Sequence, residues 1–464
     1  MSKQQMNTAD AAWLHMDRPT NLMVVNAVLW FDEPVDFKRA RDVLGERLAG
    51  AFPRFRQRIV EPRFGVGVPS WEDDPNFDLD HHVHHIGLPA PGDKVTLQEL
   101  VGDLISSPMD RSKALWDFYI VDGYGAGTAA VARIHHSISD GIALVRVLIS
   151  MTDEQPDAGF HPVAQDKAMR GRLDLLARPL SMGAHLAGAT VQEGFGVLTH
   201  PVPKLRGLAS RTAADARAVS KLLLTPSDPE TVLRGELGVA QRAVWTSGVA
   251  FADVKAIGNA CGVTVNDVMI AAITGALRDY LVERDSLVEE IRAMIPFNLR
   301  PVDEPLPREL GNRFGLVYLS LPVGVQDPRA RLDAVHARMS AIKSSPEGAL
   351  DYGVLGAIGL TPPQVEQKLV EQFSSKTSLV LTNVPGPREP IYFAGTRVAG
   401  IVVWAPGAGS IGMGISILSY GNTVTVGVRV DAGLVPDPQR IIDAFEHEFK
   451  LLAQLHPSST SQRT

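Results

Sequence analysis

Two adjacent histidines between two apolar runs are the feature that most restricts how this chain can fold. Residues 128–134 are mostly apolar, His135 and His136 follow, and a second apolar run begins after Asp140 and Gly141. This order predicts a strand, a short loop and a helix, with the histidines at the strand end. A strand end can lie at the rim of a cleft, and neutral imidazole is well suited to accept a proton near pH 7. The pattern therefore predicts a general base.

The spacing within this segment suggests a separate task for each residue. Neighbouring side chains of a strand point to opposite faces, so His135 and His136 should not both face one cleft. Asp140 is placed to hold the loop in shape, through an ion pair with an arginine from elsewhere in the chain. Gly141 would let the helix start close to the strand end. A lone histidine is more often structural, but the histidine pair with Asp-Gly in this setting favours a functional site.

Length and composition restrict the class of protein. A chain of 464 residues is too long for one ordinary core, which predicts two domains and a connector. The net charge of −7 argues against general nucleic-acid binding, and a single cysteine, Cys261, excludes an intrachain disulfide. Residues 1–10 are polar and carry no apolar core of signal-peptide length, and no run of 18 apolar residues appears, which predicts a cytoplasmic protein without a membrane span. Any membrane contact would be peripheral, which flotation with anionic vesicles would test.

Composition along the chain predicts four parts. Residues 1–160 mix strand-like and helix-like runs, and residues 239–456 do so again. Between them, residues 161–238 are rich in proline and basic, with nine basic and four acidic residues from 166 to 224, which indicates a helical connector. Two interpretations of its basic excess are open: contact with phosphates of a cofactor or of lipid headgroups, or a solvated linker face. Residues 457–464 are rich in Ser and Thr, which predicts a flexible tail.

Periodicity predicts the main elements of both domains. We expect strands at residues 23–31, 116–121, 128–134, 316–322, 378–381, 415–418 and 424–430. We expect helices at residues 37–51, 141–151, 265–281 and 437–455.

Several segments resemble the motifs of one family, in the order that family has them. The run His135-His136-x-x-x-Asp140-Gly141 resembles the HHxxxDG motif of the CoA-dependent acyltransferase superfamily. The other segments resemble those of the bacterial wax ester synthase/diacylglycerol acyltransferases: residues 10–15, 114–116, 265–269, 292–300, 311–313, 383–388 and 434–437. The resemblance thus extends from residue 10 to about residue 440, and the set is far more specific than HHxxxDG alone.

The resemblance implies an α+β fold of two chloramphenicol-acetyltransferase-like domains, each a mixed sheet flanked by helices. It implies a tunnel at the domain junction, which acyl-CoA enters from one side and an alcohol from the other. His136 would be the base, and His135 and Asp140 would complete the motif. Asn266 and Asp267, from the second domain, would support the site, and Arg300 is the candidate ion-pair partner of Asp140. No metal and no permanently bound cofactor is expected.

The expected reaction is transfer of a long-chain fatty acyl group from acyl-CoA to diacylglycerol, to a long-chain alcohol, or to both. The enzyme would then work at a membrane or lipid-droplet surface, and it would bind no nucleic acid. Departures from the family pattern at Ala114 and at residues 297–298 leave room for a lipid-binding paralogue without catalysis. A different alcohol or amine acceptor is a further alternative.

Three alternative functional sites have less support from the sequence. Ser137, His136 and Asp140 are the residue types of a hydrolase triad, but neighbours on one short segment rarely reach triad geometry. The glycines of residues 407–412 match a dinucleotide fingerprint, but a strand-like run follows where a helix is required. The histidines of residues 81–85 suggest a metal, yet they match a metal-free strand of the family, so a plain strand is favoured.

Overall fold

The computed structural model describes residues 3–62, 67–156, 226–298, 310–312, 314–344 and 363–455. In these ranges every predicted strand and helix is present, within a few residues of its predicted limits. The connector predicted for residues 161–238 lies mostly outside them, as does Arg300. The predicted domain limits therefore remain a prediction.

The first half of the chain contains short and long strands and four α-helices in the described residues. The strands are β1 (Lys3–Gln5), β2 (Val24–Phe31), β3 (Gln57–Val60), β4 (Ser70–Asp73), β5 (Val83–Gly87), β6 (Trp116–Tyr124), β7 (Gly127–His135) and β8 (Thr152–Asp153). The helices are α1 (Thr8–Met16), α2 (Phe37–Val43), α3 (Lys94–Ser106) and α4 (Gly141–Ser150). Helix α2 continues as a π-helical segment, Leu44–Gly50, and single 3₁₀ turns lie at Pro53–Arg56 and Leu79–His81.

The second half of the chain also contains both strands and helices. Its strands are β9 (Gln241–Trp245), β10 (Val249–Ala250), β11 (Ile291–Asn298), β12 (Phe314–Leu321), β13 (Leu379–Pro385), β14 (Tyr392–Phe393), β15 (Thr396–Arg397), β16 (Gly400–Trp404), β17 (Met413–Tyr420) and β18 (Thr423–Asp431). Its described helices are α5 (Phe251–Cys261), α6 (Val265–Val282), α7 (Pro328–Ser344), α8 (Pro363–Ser374) and α9 (Gln439–Gln454).

A five-stranded sheet of order β16-β2-β7-β6-β5 forms the centre of the first half. Strand β7 is buried along its whole length because both faces of the sheet are covered. Alternate residues of β2 and β7 pack with α4 on one face, and the residues between them pack with α3 on the other. This placement brings the end of β7, with His135, into the protein interior.

A seven-stranded sheet of order β10-β18-β17-β13-β11-β12, with β9 also paired to β18, forms the centre of the second half. Helices α6, α7 and α9 cover one face with a continuous apolar core. Helix α9 is strongly amphipathic, and Ile441, Phe445 and Phe449 lie on its buried stripe. The opposite face of this sheet carries Thr382 and Val384, which reach the cavity described below. The predicted class, mixed sheets flanked by helices, is confirmed.

The two halves share strands and core. Strand β16 comes from the second half of the chain but pairs antiparallel with β2, with Gly400 opposite Trp30 and Trp404 opposite Asn26. Trp245 and Trp404 pack in one cluster with α3 of the first half. A division of the fold at a single point of the chain therefore cuts through the first sheet.

No single helix of the described residues is both long enough and apolar enough to cross a membrane. One helix pair meets the length and composition when taken together, Phe251–Cys261 with Val265–Val282, and it is bent by 97°.

Candidate active site

The loop after β7 is fixed by backbone hydrogen bonds and by a helix cap. The backbone N–H of His135 donates to Leu115 O (3.0 Å), and that of His136 donates to Met23 O (2.7 Å). Asp140 is the N-cap residue of α4, and its carboxylate accepts from the N–H of Ala143 (2.8 Å). The run of apolar residues thus ends at the histidines because the chain leaves the sheet there, and the helix starts where Asp140 can cap it.

The two histidine rings lie in different surroundings, with His135 at the end of β7 and His136 in the turn that follows it. The Nδ1 atom of His135 forms a hydrogen bond with the Ser137 hydroxyl (2.8 Å), and its Nε2 lies 3.8 Å from Asp17 Oδ1. His135 does not line the cavity that His136 lines. Ser137 thus contacts His135, whereas the hypothesis of a hydrolase triad requires it to contact His136.

His136 is buried against an aromatic ring. Its imidazole stacks on the indole of Trp13, with the ring centroids 4.0 Å apart and the planes 24° from parallel. Burial lowers the pKa of His136 to about 3, and the side chain of Asn312 acts in the opposite direction. The imidazole is therefore neutral at pH 7, which is the form that can accept a proton.

A cavity of about 600 Å³, including the part open to solvent, lies beside His136. Most of its wall is apolar, as expected of a site for a hydrocarbon chain. The residues that line it come from both halves: Val25, His136, Asp140, Gly141, Val145, Pro296, Phe297, Thr382, Asn383, Val384, Val403 and Ala405.

The role predicted for Gly141, to let the helix start close to the strand end, does not match the structure. A Cβ atom at Gly141 would meet no heavy atom within 4 Å, so close packing of α4 against the strand does not require glycine here. Gly141 lines the cavity. The missing side chain therefore adds space to the cavity wall, next to Asp140.

Asn266 and Asp267 lie at the N-terminus of α6. Asp267 forms a capping box with Thr264 and contacts His336 Nδ1 at 2.8 Å, so its place is that of a helix cap. Asn266 accepts a hydrogen bond from Asn383 Nδ2 (2.5 Å) through its side-chain oxygen. Asn383 lines the cavity, so Asn266 is one hydrogen bond removed from it. The Asp140–Arg300 ion pair stays a prediction because Arg300 is outside the described residues.

The structure also brings Asp10 and Asn312 to the site. No role was predicted for either residue from the sequence. The Asn312 side chain donates through Nδ2 to His136 O (2.8 Å) and to Asp10 Oδ1 (2.8 Å). Both residues lie in segments that resemble family motifs, and this was their only signal in the sequence. Their separation of 302 positions in the sequence hides the contact from any local pattern.

The histidines near residue 82 have partners within the protein. His82 donates through Nδ1 to Trp116 O (2.8 Å) and stacks on the Trp116 ring, and His85 pairs with Asp122 (2.6 Å). In the described ranges no three His, Cys, Asp or Glu side chains are grouped to hold a metal ion. The glycines of residues 407–412 lead into β17, a strand, so the dinucleotide motif lacks its helix.

Known protein families match both halves of this fold. Residues 6–269 match the wax ester synthase/diacylglycerol acyltransferase catalytic domain, and residues 310–453 match the C-terminal domain of the same family. The chain belongs to this family. It is an acyltransferase, as the motifs predicted.

Relatives of this family cover nearly the whole chain. A probable diacylglycerol O-acyltransferase of Mycobacterium tuberculosis is 28% identical over 452 residues, 95% of this chain and 94% of the relative. The wax ester synthase/diacylglycerol acyltransferase of Marinobacter aquaeolei VT8 has a similar structure, with a TM-score of 0.69 and 23% identity over 97% of this chain and 99% of that one. The first condensation domain of the calcium-dependent antibiotic synthetase shares the fold at a TM-score of 0.61 and 15% identity over 98% of this chain and 97% of that one.

Proposed function

We propose that this acyltransferase moves a long-chain fatty acyl group from acyl-CoA to diacylglycerol, to a long-chain alcohol, or to both, with His136 as the general base. One observation carries the proposal: a buried, neutral imidazole lies on the wall of a mainly apolar cavity that both halves of the chain line. The names of the family and of its relatives supply the two acceptor classes.

The residues on the cavity wall suit attack of an alcohol on a thioester. His136 accepts the hydroxyl proton as the alcohol oxygen bonds to the carbonyl carbon, and the carbonyl oxygen becomes an oxyanion. The intermediate then expels the CoA thiolate, and the proton on His136 passes to sulfur, which leaves an ester and CoA. Base catalysis of this kind contributes about 10²–10⁴-fold, so positioning in the cavity must supply much of the remaining acceleration.

The oxyanion needs hydrogen-bond donors, and the second half offers candidates. Asn383 is among the residues that line the cavity, and its side-chain Nδ2 donates a hydrogen bond to Asn266 Oδ1 (2.5 Å). A preorganised amide stabilises developing negative charge because it does not have to reorient during the reaction. We assign Asn383, supported by Asn266, as the first candidate donor.

Formation of an imidazolium at His136 also needs support. A group whose pKa is lowered to about 3 by burial stays neutral, but its protonated form is costly in the same place. The Trp13 ring that stacks on His136 reduces this cost because the face of an indole attracts a cation.

The test is release of CoA thiol from palmitoyl-CoA, with dioleoylglycerol and hexadecanol offered separately. We expect release with at least one acceptor, and its loss in His136→Asn. His81→Asn is the matched control, since His81 is exposed and undergoes the same chemical change. Release that persists in His136→Asn would refute the assigned base. Saturable lipid binding without release from any acceptor would instead favour the non-catalytic paralogue.

A further inference from the structure

Asn312 joins three parts of the molecule at the catalytic loop. It is 3% exposed and belongs to the second half of the chain, yet it forms hydrogen bonds with Asp10 and His136 of the first half. Its backbone N–H donates to Asp10 Oδ1 (2.9 Å), and its Nδ2 donates to the same oxygen and to His136 O. Its side chain also raises the pKa of His136, against the effect of burial. The hydrogen bond from Asn312 thus fixes the backbone carbonyl of His136.

Asp10 holds Asn312 in one orientation. The carboxylate is 1% exposed, and its Oδ2 accepts from Asn7 Nδ2 (2.7 Å) while Oδ1 accepts from Asn312. Burial raises the pKa of Asp10 to about 7, and the hydrogen bonds from Asn312 and the charge of Arg54 oppose that rise. Asn7 and Asn312 both donate to its oxygens, so the arrangement matches a carboxylate that orients the Asn312 amide.

The Asn7 amide cannot turn over to suit another partner. Its Oδ1 accepts from the backbone N–H of Asp10 (2.7 Å) as the N-cap of α1, so its Nδ2 must face Asp10 Oδ2. The same helix carries Trp13, three residues after Asp10, on the His136 ring. Helix α1 therefore brings both the carboxylate and the stacking ring to one histidine.

We propose that Asp10 and Asn312 are positioning residues for acyl transfer, which fix the His136 loop and select one orientation of its imidazole. The inference rests on the proposed function only in that His136 is the base. Neither residue gains or loses a proton in the reaction: the alcohol proton goes to His136 and then to the leaving sulfur. The pair acts by holding His136 where it can accept that proton.

Asp10→Asn tests the pair with almost no change of shape. The new amide has one oxygen and one NH₂, so a donor must face a donor, either at Asn7 or at Asn312. We expect kcat to fall about 10- to 100-fold, the usual range for loss of a hydrogen bond to a charged group, with little change in KM for palmitoyl-CoA.

The double variant Asn7→Asp/Asp10→Asn is the matched rescue. Aspartate at 7 can still cap α1 and can accept from the new amide at 10, whose oxygen then accepts from Asn312. The charge moves to an exposed position, and every donor regains an acceptor. We expect kcat to return close to the wild-type value. Wild-type kcat in Asp10→Asn, or no recovery in a folded double variant, would overturn the proposal.

A measurement without turnover separates this inference from the proposed function. Imidazole ¹⁵N shifts of histidine-labelled protein at pH 8 report the tautomer of His136, which His136→Asn assigns. We expect one tautomer in the wild type, a mixture in Asp10→Asn and one tautomer again in the double variant. Absence of CoA release with this tautomer pattern would refute the function alone, whereas an unchanged tautomer in Asp10→Asn would refute the positioning role.

Discussion

Burial of a neutral His136 predicts how the stability of the protein depends on pH. The pKa of His136 is about 3 in the folded protein and about 6.5 when unfolded, so the unfolded chain binds the proton more readily. The stability gained by keeping this ring neutral is fully present above pH 6.5 and is lost as the pH falls toward 3. At pH 5 the two pKa values imply a loss of about 2 kcal/mol of unfolding free energy relative to pH 8.

His136→Asn removes this contribution, because asparagine does not titrate. We expect the unfolding free energy of the variant to fall by about 2 kcal/mol less than that of the wild type between pH 8 and pH 5. Urea unfolding followed by tryptophan fluorescence at each pH measures the difference, and the comparison of slopes cancels the other titrating groups. His81→Asn, at an exposed site, should retain the wild-type slope.

Equal pH slopes for wild type and His136→Asn would refute the reasoning. They would mean that His136 titrates near its ordinary value and is therefore far more accessible to water than the stacked, buried ring of this structure. A steeper slope in the variant would refute even the sign of the predicted effect.

Two further variants test the cavity. Asn383→Ala removes the candidate oxyanion donor, so we expect kcat for CoA release to fall about 10²-fold or more while the melting temperature stays close to that of the wild type; unchanged kcat would exclude Asn383 as a donor. Val145→Trp places an indole on the cavity wall, so we expect kcat/KM to fall more for palmitoyl-CoA than for butyryl-CoA, and an unchanged ratio of the two would show that the acyl chain binds elsewhere.

The sequence predicted the parts of the fold that depend on local pattern. Strand β7 and helix α4 were predictable because their apolar residues repeat with the periods of a strand and a helix. The prediction that His135 and His136 do not face one cleft came from strand alternation, although His136 lies in the turn that follows β7. The fold of the second half, and the expectation that Asn266 and Asp267 support the site, came from the resemblance to the family.

What escaped prediction depends on contacts between distant residues. Pairing of β16 with β2 is made by backbone groups, which no side-chain pattern specifies. The hydrogen bonds among Asp10, Asn312 and His136 connect three segments that nothing local relates. Gly141 was assigned a packing role from its residue type, whereas the open space beside it is visible only in three dimensions.

Strand β16 is translated long after the strands that it joins, and this order matters during synthesis of the protein. Strand β2, with the sequence VVNAVLWF, pairs with β7 on one side and with β16 on the other. During translation β7 is complete at residue 135, but β16 only at residue 404. At about 5–20 residues per second, an apolar edge is therefore open for tens of seconds on the ribosome. Such an edge is a template for aggregation, so the nascent first half needs protection, by a chaperone or by its own chain, until the second half is made.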